Sequence, residues 1–197
     1  AKFKTMKKIA FWFVAMMAMV STVSAQKITL DGSWAALKGA GTYALEVDYS
    51  ALQVEDKETG EFKSVEEFLK TRDEKFCNAW NTEIVPGSVT YALLVPNYAN
   101  KKFTYDQVAP EYKFVLKVDR LKLGFAGGAF IPFAGAKAGG GNISGEMKMY
   151  DAKSGELLGS AVFEDVQGVS HVTDAVRWGM SYYELGKRLM KAVKKAK

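Results

Sequence analysis

Residues 143–164 read ISGEMKMYDAKSGELLGSAVFE, two strand-like runs on either side of the pentad Asp151-Ala152-Lys153-Ser154-Gly155. Such runs bounded by a turn signal predict a β-hairpin, with Ile143 to Tyr150 as one arm and Glu156 to Glu164 as the other. The turn chemistry occurs twice in the chain. Asp56-Lys57-Glu58-Thr59-Gly60-Glu61 and Asp151-Ala152-Lys153-Ser154-Gly155-Glu156 both follow D-x-x-[ST]-G-E. In that pattern the Asp carboxylate accepts from backbone amides ahead of it, and Gly supplies a positive φ. A calcium loop needs more acids than either copy offers, so both read as turns.

Upstream of the hairpin, Tyr112, Phe114, Leu116 and Val118 alternate, and Leu121, Leu123 and Phe125 continue after a one-residue shift, predicting a long strand. Gly124 to Gly145 then carries eight glycines in 22 residues, interrupted by Phe125, Phe130, Ile131 and Phe133. Nearer the start, Tyr43, Leu45, Val47 and Tyr49 mark a half-buried strand, with a bulge expected near Ser50-Ala51 before Leu52 and Val54. Ser64 and Glu67 make a capping box, and Val65, Phe68, Leu69, Arg72, Phe76 and Trp80 form one helical stripe running to about Thr82. Pro86-Gly87 is expected to end that unit. Val89 to Val95 (VTYALLV) then reads as a strand buried on both faces, stopped by Pro96, with a polar loop from Asn97 to Glu111. The chain closes on its longest helix, about Val172 to Lys195. Its stripe of Val172, Val176, Gly179, Tyr183, Gly186, Met190 and Val193 is widened by Trp178, Tyr182, Leu185 and Leu189. Ser170 is the expected N-cap, and Gly179 and Gly186 are expected to let the helix lie close along a sheet. The order β-α-β-β-β-β-α predicts an α+β fold, one domain with a mixed sheet and helices on one face.

The first residues have a different character. Lys7-Lys8 follow Met6, Ile9 to Val20 form an apolar run, and Val23-Ser24-Ala25 precede Gln26. This is the order of a Sec leader, with residues 1–5 upstream of the start, and the run is too short for a membrane-spanning helix. The expected product is a single domain, residues 26–197, periplasmic or secreted. Gln26 stands where a lipoprotein carries its anchoring cysteine, so no lipid anchor is expected. Residues 1–25 hold four lysines and no acid, which leaves 23 basic against 22 acidic residues. That balance offers no general basic field for a nucleic acid. The remaining positive charge gathers at Lys187, Arg188, Lys191, Lys194, Lys195 and Lys197. There it is expected to complement the helix dipole, with side chains in solvent and no membrane-surface contact.

A catalytic or metal centre finds little to build on. His171 is the single histidine, which excludes a histidine metal cluster, and beside Ser170 it reads as a helix-entry residue. Cys77 is the single cysteine, so no internal disulfide forms, and within a helix it reads as a small hydrophobe. Gly39-Ala40-Gly41-Thr42-Tyr43-Ala44 matches a dinucleotide fingerprint only formally, because it precedes a strand and not a helix. No catalytic residue, metal or cofactor is therefore assigned. Two binding features stand out. Phe125, Phe130, Ile131 and Phe133 form an apolar Gly-rich segment suited to a partner protein. Tyr91, Tyr98, Phe103 and Tyr105, with Tyr112, concentrate aromatic rings that suit a lipid or glycan.

Together with the β-α-β opening from Tyr43 to Val95, the strand, Gly-rich segment and D-x-x-S-G-E-x-L hairpin of Tyr112 to Gly168 resemble a group of exported bacterial envelope proteins of unassigned function. That group is similar in fold to the curli secretion channel protein and to the N-terminal domain of the TolB translocation protein. The motif residues, Asp151, Ser154, Gly155 and Glu156, are turn residues, and the resemblance implies no reaction. The expected function is a non-enzymatic envelope protein that binds another protein or assembles with itself. The alternative is a small-ligand carrier with an aromatic-lined pocket.

Overall fold

Alternating side chains predict which face of each strand is buried, and the computed structural model, which describes residues 27–126 and 138–196, bears this out. The leader and Phe130, Ile131 and Phe133 lie outside the described residues. The strands are β1 (Lys27–Gly32), β2 (Gly41–Asp48), β3 (Gln53–Glu55), β4 (Phe62–Ser64), β5 (Phe103–Tyr105), β6 (Tyr112–Lys122), β7 (Asn142–Asp151) and β8 (Leu157–Gln167). They form one mixed sheet in the order β1-β8-β7-β6-β2-β5. The first four strands of that order are antiparallel neighbours, whereas β2 runs parallel to β6 and β5 parallel to β2. Phe114, Leu116, Val118 and Leu121 of β6 are buried, as are Met147 and Met149 of β7 and Ala161 and Phe163 of β8. Their neighbours on the other face are more open, and Val162 is clearly exposed.

Among the described residues, five α-helices complete the fold: α1 (Val65–Lys70), α2 (Glu74–Ala79), α3 (Val85–Ala92), α4 (Val95–Ala99) and α5 (Asp174–Lys195). The architecture is α+β, as expected, but several elements differ from the sequence reading. The Ser64 capping box is present, with Ser64 Oγ accepting from the Glu67 amide and Glu67 accepting from the Ser64 amide. The helix it opens stops at Lys70 and restarts at Asp73, whose carboxylate accepts from the Phe76 amide at 2.7 Å. The chain then stays helical where Pro86-Gly87 was expected to end it. Trp80–Ile84 is a π turn, in which the Val85 amide donates to Trp80 O. Proline has no amide to donate, and its ring collides with the carbonyl four residues back. Widening the helix by one residue just before Pro86 puts that proline in the first turn of α3, where neither defect matters.

Val89 to Val95 is therefore not a strand. The run ends α3 and begins α4; Ala92 and Val95 are buried and Tyr91 and Leu93 pack against the core, while Leu94 is exposed. The expected loop from Asn97 holds the rest of α4 and the edge strand β5. The expected bulge at Ser50-Ala51 is a turn, in which the Leu52 amide donates to Tyr49 O at 3.0 Å. It delivers β3 to the edge of β6 beyond the end of β2. The one-residue shift in β6 is a true bulge between Val118 and Arg120. In α5 the N-cap is Thr173 and not Ser170, and it makes no side-chain cap bond. Trp178, Gly179, Tyr182, Leu185, Gly186, Leu189, Met190 and Val193 are buried, as the expected stripes have it, with Val176 and Tyr183 half-buried, whereas Val172 precedes the helix and is exposed. Gly179 and Gly186 face α3 and α4, not the sheet: a methyl group on either would run into Tyr91 or into the Val95–Ala99 backbone. Among the described residues, no helix is long and apolar enough to cross a membrane.

Candidate functional site

The end of β6, the β3–β4 turn, α2 and the start of α5 enclose a cleft of about 420 Å³. Its geometry begins with Gly124. At φ +69°, a side chain there would lie 2.2 Å from the Gly139 carbonyl, so only glycine lets the two arms of the segment approach. The Phe125 amide donates to that carbonyl at 2.9 Å, and the Phe125 ring is left 47% exposed on the cleft rim. Ser170 Oγ donates to the Phe125 carbonyl at 3.3 Å, tying the rim to the approach to α5.

Arg177 anchors this end of the molecule. It is buried, with Nε donating to Leu123 O at 3.1 Å and Nη1 donating to His171 O at 2.5 Å and Val172 O at 3.1 Å. Nη2 bonds Asp174. Every polar atom of the guanidinium thus replaces water, which a buried charge requires. The carboxylates lining the cleft are similarly engaged. Glu55 pairs with Lys122 at 2.9 Å, and Asp73 caps α2. Asp56, buried just beneath, pairs with Lys63 at 2.5 Å. The Arg72 guanidinium lies 4.5 Å above the Phe68 ring. Desolvation draws the Lys57 ammonium below its ordinary range, with Asp174 opposing; Lys57 as a whole is exposed, and solvent screening keeps the effect small.

Among the described residues, each carboxylate lining the cleft is held by a partner, and the cleft presents cations and aromatic rims. His171 is exposed, its Nδ1 accepting from the Thr173 amide at 3.3 Å, as expected of a helix-entry residue. Cys77 is half-buried and donates to Leu69 O at 3.5 Å. Among the described residues, no group of three or more His, Cys, Asp or Glu side chains is placed to hold a metal ion.

The aromatic residues considered for a lipid or glycan are distributed over two seams. Tyr91 packs on Gly179, and Tyr98 meets Tyr183 edge-on with centroids 5.1 Å apart. Phe103 is fully buried against Tyr43 and Tyr112, and Tyr105 lies edge-on to Tyr43. None of the four rings lines the cleft at Phe125 or the grooves beside β1 and α5. Sequence reasoning found Phe125 but missed Arg177 and Lys57. Arg177 did carry a signal, a charge set among the apolar positions of α5 next to Trp178. Lys57 carried none, because only the fold brings the β3–β4 turn to α5.

No protein-family profile and no curated protein matches the sequence. Among solved structures, the chain is similar to the PelC dodecamer from Paraburkholderia phytofirmans at 8% identity and a TM-score of 0.41, over 84% of this chain and 97% of that one. A variant PelC dodecamer from the same organism aligns at 10% identity and a TM-score of 0.37, over 82% of this chain and 95% of that one.

Proposed function

We propose that the chain is a non-enzymatic, exported envelope protein that binds another protein or a second copy of itself through the Phe125 rim. The carrying observation is a phenylalanine ring 47% exposed beside a cleft whose carboxylates are all engaged. An exposed ring next to cations suits a docking surface, because aromatic and arginine side chains dominate interface energetics. The leader pattern of residues 6–25 supports the exported address.

A photoreactive phenylalanine analogue placed at Phe125 tests this in an envelope extract, with the same analogue at the fully exposed Val108 as control. A discrete adduct is expected at 125 and none at 108. Equal labelling at both positions overturns the proposal. So does the absence of any adduct from a protein that light scattering finds strictly monomeric.

A further inference from the structure

The other end of α5 carries a second surface that owes nothing to Phe125. Arg177 and Lys191 are 14 residues apart on one helix, which separates the two ends by about 21 Å. Among the described residues, β1 is the last strand of the sheet, paired with β8 along one side only. Among those residues its outer side has no strand partner, and such an edge is a ready template for another strand. Two cavities of about 500 and 410 Å³ adjoin it and share Leu30 and Ala196. Half-buried Ile28 and Leu30 make an apolar floor on the strand, with small Ala192 opposite on the helix.

The rim of the larger cavity is formed by Arg188, Lys191 and Lys195, and no acid lines it. Lys191 and Lys195 have no carboxylate partner among the described residues. Arg188 stands 3.9 Å from Glu184, and its buried Nε has no hydrogen-bond partner. Cations held beside an apolar floor, next to an open strand edge, favour a ligand that is both extended and acidic.

We propose that this groove binds an extended acidic segment of a partner protein as a strand added to β1. Charge selects that occupant over the alternatives. Residues 1–25 hold four lysines and no acid, and residues 127–137 hold one lysine and no acid, so neither complements the rim. A second copy docking edge to edge brings two sets of the same cations to one seam. An added strand turns alternate residues toward the helix, about 6.6 Å apart. Arg188, Lys191 and Lys195 follow i, i+3, i+7 along one helix face, over about 10 Å. Carboxylates at every second position of the segment therefore fall within reach of the flexible cations.

The test uses the protein comprising residues 26–197 and two labelled peptides of one composition. One alternates Glu with Val or Thr; the other gathers its Glu into a block. Fluorescence anisotropy at low salt should show the alternating peptide binding about tenfold more tightly than the block isomer, and Lys191→Gln/Lys195→Gln should lower its affinity by about tenfold. Hydrogen exchange should show new protection at the outward-facing amides of β1, every second residue, because the others already donate to β8. Equal binding of both isomers without that protection reduces the site to a diffuse charge patch and overturns the proposal. So does no binding, and so does co-sedimentation with phosphatidylglycerol vesicles that the variant loses while β1 stays unprotected. Should the double variant fold poorly, Lys38→Gln at the far end of the groove serves in its place. Protection of β1 is read independently of the Phe125 adduct, so either proposal can fail alone.

Discussion

Gly179 and Gly186 lie about two turns apart on α5, yet a methyl group meets different resistance at each. At Gly186 it would stand 2.6 Å from Val95 O and 3.0 Å from the Ala99 amide nitrogen, backbone atoms that cannot yield without moving α4. At Gly179 it would stand 2.4 Å from Tyr91 Cδ2 and 2.6 Å from Cγ, so the half-buried side chain must swing as a whole, which a side chain can do without moving the backbone of α3. Alanine also gains about 1 kcal/mol over glycine in a helix interior. Gly179→Ala is therefore expected to cost less than Gly186→Ala, which loses about 1–3 kcal/mol to overpacking. Urea denaturation of the two variants checks this, and equal stabilities would mean that close backbone approach does not govern Gly186. At this scale the sequence was half legible. Small residues at step seven announce a close neighbour, but they do not say which one, and the misreading of Val89 to Val95 as a strand made the sheet the natural candidate. Arg177 was visible as a charge in an apolar stripe, whereas its carbonyl partners at Leu123 and His171 become neighbours only in the fold.

The two D-x-x-[ST]-G-E turns show how far an element can be read in advance. Asp151 Oδ1 accepts from the amides of Lys153 at 3.1 Å and Ser154 at 2.7 Å, and Asp56 Oδ1 from that of Glu58 at 3.0 Å. Gly155 and Gly60 take φ near +74° and +73°. Such turns were legible because their hydrogen bonds are local. Val89–Val95 was not, since a short apolar run between prolines suits a buried strand or a buried helix equally, and the π turn that decides the matter follows from packing. The turns differ in their surroundings, and that difference is measurable. The Lys63 ammonium and the Glu58 amide hold the Asp56 carboxyl below its ordinary range. A depressed carboxyl stabilises the fold above its unfolded pKa, near 3.9, and that contribution is lost as pH falls through the lower folded value. Asp56→Asn should lower the urea midpoint at neutral pH and flatten its decline in acid. An unchanged acid slope would show that this pair does not contribute.

The whole molecule is held as two layers, and its sheet order was the least legible feature, since nothing local states that β2 pairs parallel with β6 or that β1 closes the edge beside residues 188–196. The layers are joined by phenols. Tyr49, just past β2, shares a 2.7 Å hydrogen bond with Tyr182 of α5, and Tyr43 of β2 donates to Leu93 O at 2.8 Å. Tyr43 and Tyr182 are fully buried, and desolvation drives the pKa values of all three above the ordinary value of 10.0. The unfolded chain sheds these protons near pH 10, while the folded one retains them. A raised pKa stabilises the fold fully below the unfolded value, and the contribution is lost as pH rises through the window above it. Thermal stability should therefore hold to about pH 9–10 and then fall, with tyrosinate absorbance from these rings appearing together with loss of helix signal. Tyr49→Phe/Tyr182→Phe removes two of the three ionisations and leaves the rings packed, so its alkaline decline should be shallower than that of the parent. Replacing both partners at once avoids leaving one hydroxyl buried alone, the costlier defect. Tyrosinate absorbance that rises well before the helix signal falls would mean that these phenols titrate in the folded state and do not hold the layers together.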